Sequence, residues 1–235
     1  SDTPDAVFPN NWFSTHAGGH VAVYPMFAEN RRPERRWDVI DMLKRDYRVQ
    51  DVIDYSGLEP DGLALEGTGA MVLDHLTRVA YVARSNRADP ILLERFCTHF
   101  NYEPIVFDAL DAAGVPIYHT NVLMAVATGY ALVGLEMIPD PARRDMVATR
   151  LAEPGRDIIA LNTEQISNFA GNAIELTGKH GPCLVLSRRA RDSLADTQTD
   201  IISRSASILP LDLPTIETAG GSARCMIAGV HLAHR

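Results

Sequence analysis

One order of elements recurs along this chain with a period of about 50 residues, and a period of that size means stacked or radially arranged units. Each copy reads strand, strand, helix, strand. In the first, VFPNNWFSTH and HVAVYP flank the turn Ala17-Gly18-Gly19. A helix then starts near Pro33 and runs through Trp37, Ile40, Met42 and Leu43 at helical spacing, and VQDVIDYS closes the unit. The order returns in LEGTGAMVLD, RVAYVARS, the helix DPILLERFCTHF and EPIVFDA. A third copy is YHTNVLMAVA, YALVGLEMI, a helix after Pro139-Asp140-Pro141, and DIIALN. The fourth is FAGNAIELTG, CLVLS, a helix from about Arg188 to Leu194 with a further turn, and ASILPLD; the fifth begins as a strand with GGSARCMIAGVHL and stops. Aligning the first strands brings Asn11, Thr68, Thr120, Gly171 and Ser222 into register at intervals of roughly 51 to 57 residues.

A unit of this size cannot bury its apolar face alone. The α/β architecture that satisfies five such units is a five-bladed α/β propeller of ββαβ repeats, with the first strands gathered around a central axis. Residues 1–235 are read as a single propeller domain with its fifth blade incomplete. An open ring leaves strand edges unpaired, so a missing N-terminal segment ahead of Ser1 is expected to complete it.

Composition narrows the function. The formal net charge of −8 argues against nucleic acid, whose phosphates need clustered Lys and Arg. No apolar run reaches the roughly 20 residues of a membrane span. A small-molecule partner is expected, with no cofactor, and homo-oligomer formation is left open. Cys97, Cys183 and Cys225 are odd in number and widely spaced, which favours a reducing, cytoplasmic setting over a disulfide framework. Cys97 and Cys183 read as packing. His16 with His20, and His231 with His234, have metal-like spacing, but no nearby acid or thiol completes a ligand set, so no metal is expected.

Each copy carries a polar residue at the same place: Asn10 and Asn11, then Glu66, His119, Asn172 and Cys225. Singly, each has a bland reading: a buried thiol is often core filler, a lone histidine is often a satisfied core residue, and Glu66 before Gly67 could accept turn amides. Together, cysteine, histidine and a carboxylate are the types that thiol catalysis needs, and their recurrence in register favours the functional reading.

The strings TPDAVFPNNWFSTH, NRRPERR, LEGTGAMVLD, YHTNV, FAGN and GGSARCM resemble the guanidine-modifying (pentein) superfamily, most closely its amidinotransferase-like branch associated with citrulline utilisation, related to dimethylarginine dimethylaminohydrolase and arginine deiminase. The resemblance covers essentially the whole chain. It implies the five-bladed propeller, with Cys225 as nucleophile, His119 as general acid/base and Glu66 as the partner of the histidine. It also implies that Arg32 and Arg87 hold the carboxylate of an amino-acid substrate, for which a planar guanidinium fork is suited. Asn10, Asn11 and Asn172 complete the substrate-binding set. Arg31, Arg35 and Arg36 are read as a solvated helix face.

The chain departs from relatives that act on arginine-like cations, which present paired carboxylates where it has Asn10-Asn11 and an acid where it has Gly69. Loss of negative charge favours a neutral ureido substrate. The expectation is therefore a cysteine-dependent hydrolase of citrulline, giving ornithine, ammonia and carbon dioxide. The alternatives are an arginine deiminase or dimethylargininase, an amidinotransferase that passes the intermediate to an amine, and, in another class, a non-catalytic binding propeller like the ribosome anti-association factors of similar fold.

Overall fold

The computed structural model describes residues 3–235. Four three-stranded sheets follow one another along the chain: β1 (Phe13–His16), β2 (His20–Val23), β3 (Asp51–Asp54); β4 (Met71–Asp74), β5 (Val79–Ala83), β6 (Glu103–Phe107); β7 (Met124–Val126), β8 (Tyr130–Val133), β9 (Asp157–Ala160); and β10 (Ile174–Gly178), β11 (Gly181–Ser187), β12 (Ser207–Leu211). In each, the first two strands are antiparallel and the third lies parallel to the second. In the first sheet Phe13 faces Val23 and Val21 pairs beside Val52. A parallel third strand requires a crossover, and the helices supply it. They are α1 (Trp37–Asp46), the single turn α2 (Gly67–Ala70), α3 (Pro90–Phe100), α4 (Pro141–Ala152), α5 (Thr163–Ser167), α6 (Arg188–Ser193), α7 (Asp196–Ser203) and α8 (Pro214–Glu217); α1, α3, α4 and the pair α6 and α7 make the four crossovers.

Local chemistry sets the helix ends. At α3 the Asp89 carboxylate accepts from the backbone N–H of Ile91 and Leu92, Pro90 takes the first helical position, and Asn101 ends the helix in the left-handed region. Asp140 and Pro141 repeat the start at α4. The middle strands are the apolar ones, as expected of strands paired on both sides: Val21, Ala22 and Val23, then Val79 to Ala83, then Tyr130 to Val133 are all buried, with Leu92, Phe96 and Phe100 of α3 packed over the second sheet.

The four expected ββαβ units are present, with three differences. Glu29–Glu34 forms a 3-10 turn with Pro33 inside it, and α1 begins only at Trp37, so Pro33 does not open the helix. The polar register positions lie not on the first strands but on a tight turn just ahead of each: Pro9–Asn11, α2, Thr120–Val122, a turn closed by Asn172 N–H on Phe169 O at 2.9 Å, and Ala223–Met226. Finally, the stretch around Cys225 is that 3-10 turn, followed by an extended tail, and not a strand. With no second strand beside it, the tail returns along the first unit. Thr15 Oγ1 donates to Gly229 O at 2.9 Å and accepts from His231 N–H at 2.7 Å, and Arg48 N–H donates to Ala233 O at 2.8 Å.

The five turns converge because glycines let them. Gly67 has φ of 46°, and a Cβ there would lie 2.4 Å from Asn10 O; a Cβ on Gly171 would lie 2.5 Å from Val122 O. Unit meets unit at these points, backbone on backbone.

Candidate active site

The turns bring Cys225, His119, Glu66, Asn10, Asn11 and Asn172 together in the interior, each less than 5% exposed. Cys225 Sγ accepts from the side-chain amides of Asn172 at 3.1 Å and Asn121 at 3.3 Å. Asn172 is itself fixed: Nδ2 also donates to Asn121 O at 3.0 Å and Oδ1 accepts from Arg224 N–H at 3.1 Å. With its amide nitrogen facing acceptors, Asn10 donates to Cys225 O at 2.6 Å, so it holds the backbone of the cysteine and not the sulfur.

His119 Nε2 meets Glu66 Oε2 at 2.6 Å. The same oxygen accepts from Arg87 Nη1 at 3.0 Å and lies 3.9 Å from Arg31 Nη1, while Glu66 Oε1 accepts from Phe27 N–H at 3.0 Å. Burial pushes the Glu66 carboxyl up, but the hydrogen bond and charge of His119, with Arg87, overcome it and hold the group at about 2. For His119 burial is the larger influence and lowers the imidazole, opposed by Glu66 and reinforced by the two arginines. We assign Glu66 as ionised, since two guanidiniums face it whatever the state of the ring, and His119 as a neutral imidazole whose Nε2–H donates to Glu66. That leaves Nδ1 as the free basic nitrogen. Nδ1 is open because position 69 has no side chain: a Cβ there would sit 3.0 Å from it and 2.2 Å from the Asn11 amide.

The remaining residues read from the sequence divide. Arg87 reaches the site, bonded to Glu66 with its guanidinium 5.3 Å from the Tyr118 ring centroid. Arg32 does not: Nε donates to Met26 O at 3.3 Å, its nearest acids are Glu59 and Glu29, and its side chain is 31% exposed. Its neighbour Arg31 faces inward instead, which corrects the reading of Arg31 as solvated. Arg31 is buried, paired with Glu34 at 2.9 Å, and donates to the Asn11 amide oxygen at 3.0 and 3.2 Å. Arg35 is likewise tied down, on Glu59, whereas Arg36 is exposed beside Asp38 as expected.

Two groups escaped the sequence reading. Asn121 directly follows His119-Thr120, so its proximity in sequence was the only available signal; its Oδ1 is buried with no hydrogen-bond partner. Tyr118 covers the site from outside, its hydroxyl donating to Gly220 O at 2.8 Å. Chemically, the cluster holds a thiol on amide donors and an imidazole anchored on a carboxylate, the residue types that thiol chemistry uses.

Solved structures share the fold. The arginine dihydrolase ArgZ from the ornithine-ammonia cycle in cyanobacteria matches 98% of this chain at 18% identity with a TM-score of 0.74, and this chain spans 34% of its length. AgrE, in a ternary complex with ornithine and NAD+, matches 100% at 19% identity with a TM-score of 0.77, over 32% of its length. A dimethylarginine dimethylaminohydrolase bound as an adduct with 4-chloro-2-hydroxymethylpyridine matches 96% at 14% identity, with a TM-score of 0.66 and 78% of its length covered. No curated protein sequence matches the chain. The model of one family, eukaryotic N,N-dimethylarginine dimethylhydrolase, matches residues 1–232. The chain belongs to that family, within the pentein superfamily to which the structural neighbours also belong.

Proposed function

We propose that this protein hydrolyses a carbon–nitrogen bond in the terminal ureido or guanidino group of a small amino acid, through a covalent intermediate on Cys225. The observation that supports the reading is that one cluster of turns holds both a sulfur bonded by Asn121 and Asn172 and an imidazole anchored on Glu66. In this reading the four sheets and the tail belong to a five-bladed propeller, one domain over residues 1–235.

The step balances as follows. His119 Nδ1 takes the thiol proton as Sγ adds to the planar carbon, and the imidazolium, steadied by Glu66, gives that proton to the departing nitrogen. Water then adds to the thio-intermediate and yields a proton to His119. The C–S bond breaks, and the sulfur recovers that proton. From citrulline, ammonia leaves first, and the carbamate freed from sulfur loses carbon dioxide to give ornithine. The unpartnered Asn121 Oδ1 is an acceptor for an N–H of the bound group.

Citrulline is the preferred substrate. The Glu66 oxygen that faces His119 is already shared with Arg87 and Arg31, and position 69 has no room for a second carboxylate, so a guanidinium finds no free anion. One observation favours the cationic rival. Arg87 is 26% exposed and could turn outward to an amino-acid carboxylate, freeing Glu66 for a guanidinium. Structural neighbours are described as arginine dihydrolases and as dimethylarginine dimethylaminohydrolase. The deciding measurement is ornithine and ammonia release from citrulline, arginine and dimethylarginine offered separately, with Cys225→Ala as control. Ornithine from citrulline alone supports the neutral substrate, and turnover of arginine or dimethylarginine moves the assignment to the cation. Silence on all three, with Cys225 slow to alkylate at every pH, would favour a binding module.

A further inference from the structure

A cavity of about 160 Å³ lies among the first strands of all four sheets, and the residue in its wall nearest the active site in sequence is Arg224, the neighbour of Cys225. None of Cys225, His119 and Glu66 lines it. Its wall also carries His16, His75 and His231, the last two exposed at the mouth with their rings 4.4 Å apart. Two of the histidine spacings noted in the sequence thus contribute one member each to a single chamber.

The two charged residues of the wall, Arg224 and Glu175, do not pair with each other. Among the described residues Arg224 has no acidic partner; its only side-chain hydrogen bond is from Nη1 to Ile227 O at 2.8 Å. Arg78, whose charge is felt by His16 and His75, spends its donors on the backbone oxygens of Phe100 and Asn101 and on the Tyr102 hydroxyl, again without an acid. Glu175 also lines the cavity: Oε1 accepts from Thr128 N–H at 2.9 Å and Oγ1 at 2.6 Å, and Oε2 is buried with no hydrogen-bond partner. Asp74 is consumed by Arg156 at 2.9 Å. Burial first, then the charges of one another and of Arg78 or Arg224, opposed at His75 by Asp74, hold His16 at about 3, His75 at about 4 and His231 below its ordinary value. No metal-like cluster of three or more His, Cys, Asp or Glu occurs among the described residues.

We propose that this chamber is a binding site for a small anion, an inorganic oxyanion or a carboxylate, held by the Arg224 guanidinium with His75 and His231 as flanking donors at the mouth. The free nitrogens fit that task. His75 engages only one ring nitrogen, Nδ1 with the Tyr102 hydroxyl at 2.8 Å, and the His231 ring makes no hydrogen bond. A guanidinium is the group best shaped for two oxygens of one anion. The proposal does not depend on the hydrolytic reading, and its test reads binding, not turnover.

The test is a titration of the purified chain, with inorganic phosphate and acetate in separate arms at constant pH and ionic strength, following the histidine ring resonances by NMR. The expected result is saturable movement of the His75 and His231 signals with at least one anion, while exposed histidines such as His99 and His180 stay still. Arg224→Gln, checked for folding by circular dichroism, weakens the binding by about tenfold or more, as loss of a charged donor does. Should that variant not fold, the double variant His75→Gln, His231→Gln, monitored by calorimetry, replaces it and shows the same direction of change. Movements that grow linearly with anion, extend to every exposed histidine, or survive unaltered in the variants would overturn the proposal. Response to phosphate alone identifies an inorganic oxyanion, and response to acetate a carboxylate.

Discussion

The two sides of Cys225 are built on opposite principles. In the turn cluster the charges and donors are spoken for: the sulfur by two amides, the imidazole by a carboxylate, and the carboxylate by two arginines and a backbone N–H. In the chamber beside it the Arg224 guanidinium has no acid partner and the rings of His75 and His231 keep free nitrogens. Partnered groups are already aimed and cost little reorganisation when charge develops, which is what chemistry requires. Unpartnered groups in a cavity store an unsatisfied field, which is what recruitment requires. One sequence position separates the two regimes.

Substitutions test that contrast, beginning where the effect is greatest. Cys225→Ala abolishes turnover, a loss of at least about ten-thousand-fold in steady-state assays, while leaving the melting transition close to that of the parent. Gly69→Ala pushes a methyl into the Asn11 amide and against His119 Nδ1. We expect about a hundredfold fall in kcat from misplacement alone, with a stability cost of about 1–3 kcal/mol by denaturant unfolding.

Acid separates the regions next. His16 refuses a proton until about pH 3, whereas an unfolded histidine accepts one near 6.5. The unfolded chain therefore binds more protons across that window, so stability contributed by neutral His16 is complete above pH 6.5 and is lost progressively as pH falls toward 3. The slope is at most about 1.4 kcal/mol per pH unit. Glu66, held at about 2, acts in the same direction over a more acidic window, below the ordinary carboxylate range. His16→Leu should flatten the decline of the melting temperature between pH 6.5 and 4.5, and an unchanged slope would remove His16 from the account. The smallest effect is expected from His231→Gln, at the chamber mouth, which should alter kcat/KM by less than about twofold. A large loss there would erase the division between the two sides.

The repeat carried much of this into the sequence. Polar residues spaced by one unit could be aligned without a structure, and Cys225, His119, Glu66, Asn10, Asn11 and Asn172 do converge. The turns that hold them left no trace, since three or four residues have no periodicity to detect. Nor could Arg31 be distinguished from Arg32: which of two adjacent arginines points inward is decided by the 3-10 turn over Glu29–Glu34, a feature that depends on where Pro33 falls within it. The chamber was the least legible. Its histidines and Arg224 come from the first unit, the second and the tail, and only the folded chain assembles them.

The tail that runs back along β1 has a kinetic consequence. Its bond from Thr15 to Gly229 joins residues 214 positions apart, and contacts of such separation demand the largest loop closure and are late to form. Because Cys225 precedes that latch by four positions, the four sheets can acquire their secondary structure before Cys225 is seated. In refolding from denaturant, far-ultraviolet ellipticity should return ahead of thiol reactivity, so that the chain matures through a stage that is structured but chemically silent.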